Sequence, residues 1–161
     1  MDFNDIIMVA TKDFILRAIE DSKPVFLNQG FQKAKVVDIL TSTKISKAKF
    51  FRYFGGMIGI MELTIYHELS QCYRLIALKI QHTKNREELL KNIIAMRKKL
   101  VAGNPILNQY FATKDFFSTR LEPLKKAIKQ NEGDLLQGFL EKYFFSEPDI
   151  TYFKYCITKD S

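Results

Sequence analysis

Gly30 to Gly56, GFQKAKVVDILTSTKISKAKFFRYFGG, is the stretch that decides the fold. An apolar entry pair, Gly30–Phe31, leads into two short amphipathic segments and a Lys/Arg-rich aromatic finish. Lys33, Lys35, Lys44, Lys47, Lys49 and Arg52 are its basic residues, and Asp38 is its only acid. Apolar residues at helical spacing leave these cations on one side. A compact helical unit with one basic face suits the backbone of a nucleic-acid duplex, because phosphate contacts supply most sequence-independent affinity.

Outward from this stretch the pattern stays helical. Glycine and proline are scarce, at 7 and 4 in 161 residues, and no strand-like alternation is sustained, so the chain reads as all-α. A first helix is expected over about Asn4–Leu27, with an apolar stripe of Phe14, Ile15, Ala18, Ile19, Val25 and Phe26. Pro24 predicts a kink or break near Glu20–Lys23, and Gly30 a left-handed close. A second helix, Lys35–Thr43, buries Val36, Ile39 and Leu40 and has no good N-cap residue. A third, Lys47–Tyr53, is capped by Ser46 and anchored by Phe50 and Phe54.

Gly55–Gly56 separates these from a long helix over Met57–Gln81. Its buried side holds Ile58, Met61, Ile65, Leu69, Tyr73, Ile76 and Ile80. Helices then follow over Arg86–Val101 and Ile106–Ala112. Two more are read as Lys114–Gln130, interrupted at Pro123, and Leu135–Phe145, capped by Asp134, with a stop at Asn131-Glu132-Gly133 between them. A last one spans Ile150–Ile157.

Charge and composition narrow the function classes. Hydrophobic residues make up 47% of the chain, enough for a sizeable core, and the net charge of +7 with pI about 9.3 favours polyanion partners. No apolar run is long enough to span a membrane, and the N-terminus does not read as a secretory signal. Cys72 and Cys156 lie in no metal-ligand spacing and read as reduced, buried thiols of a cytoplasmic protein. His67 and Cys72 are five apart, whereas a metal pair on a helix prefers three or four. There is no phosphate-cradling glycine loop, nucleophile elbow or paired catalytic carboxylate. Glu62, Glu68, Glu87 and Glu88 read as solvated charges. Neither catalysis nor a cofactor is expected.

The opening stretch resembles the N-terminal domain of tetracycline-repressor-like (TetR family) transcriptional regulators. The matching features are Phe26 with Gly30–Phe31, the Val36-Val37-Asp38-Ile39 helix core, the Ile45-Ser46-Lys47 entry to the next helix, and its Tyr53-Phe54 end. The resemblance covers about residues 11–70. It implies a three-helix helix-turn-helix domain over 1–56 and a helical ligand-binding and dimerisation domain over 57–161. It also implies a homodimer on a palindromic operator in double-stranded DNA, acting as a repressor released by a small apolar effector.

Lys35, Lys44, Ser46, Lys47, Ala48, Lys49, Arg52 and Tyr53 are the implied DNA-binding residues. Met61, Met96, Phe111 and Phe117 are the candidates for lining an effector pocket in an aromatic-rich second half. Three positions depart from the family. Thr43–Lys44 replaces the usual Ala-Gly turn: either Lys44 takes the left-handed conformation, at about 1 kcal/mol relative to glycine and offset by reaching phosphate, or the turn differs. Phe51 stands where a phosphate-binding tyrosine is common, and Met57 where a lysine often opens the fourth helix.

Overall fold

The structure, a computed structural model, describes residues 3–80, 85–113, 120–142, 151, 154 and 155. Among these residues the secondary structure is entirely helical, as expected from the sequence. In chain order the helices are α1 (Phe3–Gln29), α2 (Val36–Thr43), α3 (Lys47–Phe54), α4 (Met57–Lys79), α5 (Arg86–Gly103), α6 (Pro105–Ala112) and α7 (Glu122–Glu141). The chain divides into two compact units, Met1–Thr64 and Ile65–Ser161. Of the expected last helix over Ile150–Ile157, Thr151, Lys154 and Tyr155 are described and helical; the rest of it and the thiol of Cys156 lie outside the described residues.

The first unit holds α1, α2, α3 and the opening turns of α4. Its core is made by Ala18, Ile19, Val25 and Phe26 from α1, Phe31 and Ala34 from the connection, Ile39 from α2, Phe50 and Phe54 from α3, and Ile60 and Met61 from α4. Phe26 stacks on Phe31 with ring centroids 5.0 Å apart. Gly30 takes a positive φ of 80°, the left-handed close that its position predicts.

α1 is not broken at Pro24. The missing N–H leaves the carbonyl of Glu20 to solvent, which an exposed position on α1 permits. Val25 and Phe26, immediately after the proline, are buried. Burying such side chains contributes about 1.5–3 kcal/mol each, which offsets the proline penalty of about 3 kcal/mol. Beside it, the buried hydroxyl of Ser22 donates back to the carbonyl of Ala18 at 2.6 Å.

The second unit continues α4 and adds α5, α6 and α7. Tyr73, Ile76, Ile80, Leu89, Ile93, Leu136 and Leu140 form its buried cluster, with Leu90, Ile94, Met96, Leu100, Leu135 and Phe139 packed against it. Asn85 caps α5 by accepting from the N–H groups of Glu87 and Glu88, and Asn104 caps α6 by accepting from that of Leu107.

Here α7 corrects two expectations from sequence. Pro123 sits in the first turn, where no N–H is needed, and so opens the helix rather than interrupting it. The helix then runs straight through Asn131-Glu132-Gly133, which had read as a stop, so Asp134 is an interior residue and caps nothing. A mid-helix glycine costs about 1 kcal/mol. Burial of Leu136 and Leu140 beyond it outweighs that cost.

Candidate nucleic-acid interface

The basic face is built by α2, α3 and the three-residue connection between them. α2 lacks a capping side chain at Lys35. Its start is secured from inside instead, by the Asp38 carboxylate accepting the Lys35 N–H at 3.0 Å. At the other end Lys44 adopts φ 59° and ψ 24°, and its N–H bonds the Leu40 carbonyl at 2.9 Å. Of the two turns open at Thr43–Lys44, the left-handed lysine is the one present, the one non-glycine residue with positive φ among the described residues. Thr43 supports the turn: its hydroxyl donates to the Ile39 carbonyl at 2.7 Å and accepts from the Ile45 N–H at 3.3 Å. The Ser42 hydroxyl donates to the Asp21 carbonyl and so ties the end of α2 to α1.

α3 begins at Ser46, whose Oγ accepts the Lys49 N–H at 3.2 Å, and ends in left-handed Gly55 with φ 72°. Phe50 and Phe54 point into the core with ring centroids 5.7 Å apart. That fixes the rotation of α3 and turns Lys47, Ala48, Lys49, Arg52 and Tyr53 outward. Each of the eight residues expected at a DNA interface is exposed: Lys35, Lys44, Ser46, Lys47, Ala48, Lys49, Arg52 and Tyr53. Two cations are braced on aromatic rings. Lys49 Nζ lies 5.2 Å from the centroid of Phe14, and the Arg52 guanidinium carbon 5.0 Å from that of Tyr53. Tyr53 in turn packs on Phe14 at 4.8 Å. Phe51 leaves 43% of its surface exposed while its ring meets Phe50 edge-on at 5.2 Å.

A cleft of about 470 Å³ opens between α1 and the start of α3. It is lined by Phe14, Arg17, Ala18, Asp21, Thr43, Lys44, Ile45, Ser46 and Lys49. Arg17 and Asp21 were missed from sequence. Nothing in the α1 pattern distinguishes them from other solvated charges; only the packing of α1 against α2 brings them beside the turn.

Comparison of this chain with protein-family models, with characterised proteins and with solved structures returns no match.

The four effector-site candidates are distributed differently. Met61 is fully buried in the core of the first unit. Met96 and Phe111 are half-buried in the second unit, Met96 against its core cluster and Phe111 beneath the Arg97 guanidinium at 5.0 Å. Phe117 lies outside the described residues. A groove of about 450 Å³ between α4 and α7 is lined by other side chains: Ser70, Tyr73, Arg74, Ala77, Asp134, Leu135, Gly138, Phe139 and Lys142.

The most prominent polar feature of the second unit is buried. Glu132, only 2% exposed, accepts from Arg97 Nε at 2.9 Å and Nη2 at 2.7 Å, and from the Tyr73 hydroxyl at 2.5 Å. Burial, then the neighbouring Glu132 charge, pushes the Tyr73 phenol well above its ordinary pKa. For Arg97 burial works against the charge, but the hydrogen bonds and charge of Glu132 prevail and hold the guanidinium more firmly protonated. Tyr110 is also raised, by burial first and Glu132 second.

Glu68 corrects another expectation. It is buried rather than solvated and accepts from Asn104 Nδ2 at 3.0 Å. Cys72 is buried, its thiol pushed up by burial and then by Glu68. No group of three or more potential metal-ligating side chains gathers among the described residues, and none of the described helices is long and apolar enough to cross a membrane.

Proposed function

We propose that the chain is a TetR-like DNA-binding transcriptional regulator that acts as a homodimer in the cytoplasm. Exposure of all eight basic-face residues, five of them on α3, whose rotation is locked by Phe50 and Phe54, is the observation that carries this reading. α3 enters the major groove of each half-site of a palindromic operator, and Lys35 and Lys44 meet backbone phosphate. The free N–H groups at the start of α3, with the helix dipole, favour phosphate there as well. Binding of a small apolar effector to the second unit changes operator affinity through its different affinity for two states of the dimer, and releases repression.

Phe51 and Met57 favour a second reading, a ligand sensor or co-regulator of the same type that acts through protein contacts with little operator binding. An exposed phenyl ring at position 51 cannot donate to a phosphate, and Met57 carries no charge.

Selection of bound fragments from random duplex DNA by the purified protein separates the two readings. Enrichment of a palindromic motif supports the regulator. A library recovered without enrichment overturns it in favour of the co-regulator. If four cations per subunit meet phosphate, the dimer neutralises about eight charges, and the logarithm of affinity falls with the logarithm of salt at a slope of about −7. A salt-independent affinity would contradict operator binding.

A further inference from the structure

We infer that the cleft between α1 and the start of α3 is a phosphate subsite, with Arg17 of α1 as its principal ligand. The inference rests on the DNA-binding reading and adds a contact from outside the two-helix unit. Three cations from three separate elements line the cleft: Arg17 from α1, Lys44 from the turn and Lys49 from α3. One acid, Asp21, faces them, so an excess of positive charge lines a concave surface, where it acts more strongly than on a convex one.

Two observations beyond charge mark the cleft. Lys44 holds a left-handed backbone that glycine would adopt without strain, and it lines the cleft. Lys49 is braced over Phe14, a lining residue, which limits the side-chain freedom lost on meeting an anion. Ser46 accepts the Lys49 N–H through Oγ and so keeps its own hydroxyl proton to donate. A phosphodiester takes donors of all these kinds, and the planar guanidinium of Arg17 matches two of its oxygens at once.

The structural alternative is that Arg17 and Asp21, four apart on α1, serve only each other. The two roles predict opposite results. Binding of the full-length protein to a short random-sequence duplex is measured by fluorescence anisotropy over a range of salt, for wild type and for Arg17→Ala, Arg17→Lys, Asp21→Asn and Lys129→Ala.

If Arg17 neutralises one phosphate, Arg17→Ala flattens the log–log slope by about 0.9 per bound subunit. The mutational loss in affinity then shrinks about 3.5-fold per subunit for a fourfold rise in salt. Arg17→Lys keeps the slope but binds more weakly, because the paired N–H geometry is lost. Asp21→Asn binds more tightly. Lys129→Ala, on exposed α7 surface far along the chain, leaves the slope as it was.

An unchanged slope in Arg17→Ala, with wild type binding normally, overturns the subsite alone. An equal flattening in Lys129→Ala also overturns it, since net charge would then account for the effect. A wild-type protein that binds no duplex at low salt overturns the DNA-binding reading and the subsite together.

Discussion

Replacing Arg97 with methionine tests the buried Tyr73–Glu132–Arg97 cluster that joins α4, α5 and α7. Methionine keeps most of the side-chain volume and removes the guanidinium. Glu132, with 3% of its side chain exposed and two bonds at 2.7 and 2.9 Å to Arg97, then keeps only the Tyr73 hydroxyl. Two unit charges about 4 Å apart attract by about 4 kcal/mol at an effective dielectric constant near 20. Breaking one partner of a buried pair costs about 3–5 kcal/mol, because the remaining charge is left uncompensated.

For a chain of this size each kcal/mol is worth about 2–4 °C, so Tm falls by roughly 10 °C. Thermal and urea denaturation followed by circular dichroism, with tyrosine fluorescence as a second probe, measure the fall in Tm and in unfolding free energy. The triple variant Tyr73→Phe/Glu132→Leu/Arg97→Met removes every polar partner together and is expected within about 1 kcal/mol of wild type, since well-packed apolar groups replace buried ion networks at little cost. A loss below about 1 kcal/mol in Arg97→Met would show that water reaches Glu132 and would refute the burial argument. A triple variant as unstable as Arg97→Met would show that the cost came from packing and not from the stranded charge.

Gly59→Ala is expected to unfold or severely destabilise the first unit, because an added Cβ would sit 1.7 Å from the Phe54 carbonyl oxygen, a backbone atom that cannot step aside; an unchanged melting temperature would contradict this. Lys44→Gly relieves the left-handed strain and should raise stability by about 1 kcal/mol while weakening duplex binding, so the two readouts move in opposite directions. Alkaline pH should destabilise the protein. The Tyr73 phenol is raised above its unfolded pKa, so its contribution is complete below about pH 10 and is lost progressively as pH rises past that value. Tyr73→Phe should flatten this alkaline limb in denaturation measured from neutral pH upward, and a limb of undiminished steepness would assign it to other groups.

The helical class and the bounds of α2, α3 and the start of α4 were legible in the sequence because their signals are local. Gly30 and Gly55 end helices where a left-handed residue is needed, Ser46 caps α3 with its own side chain, and Phe50 and Phe54 repeat at one turn. The exposed basic residues followed from the same periodicity. Signals that depend on a distant partner were misread. Pro24 allows a break and the Asn131-Glu132-Gly133 run looks like a stop by local preference, yet Val25, Phe26, Leu136 and Leu140 keep both helices continuous by burial. Glu68 reads as solvated and Glu132 as part of a stop until Asn104, Arg97 and Tyr73 arrive from 36, 35 and 59 residues away.

By itself, then, the sequence determined an all-α chain with a basic face on α3, because periodicity, capping and turn chemistry act within a few residues. Tertiary structure alone decided that Arg17 and Asp21 of α1 share a cleft with Lys44 and Lys49. It also decided that a carboxylate at position 132 is buried in a core rather than ending a helix. Both depend on which surfaces pack together, and burial energy summed over many side chains outweighs the preference of any one of them.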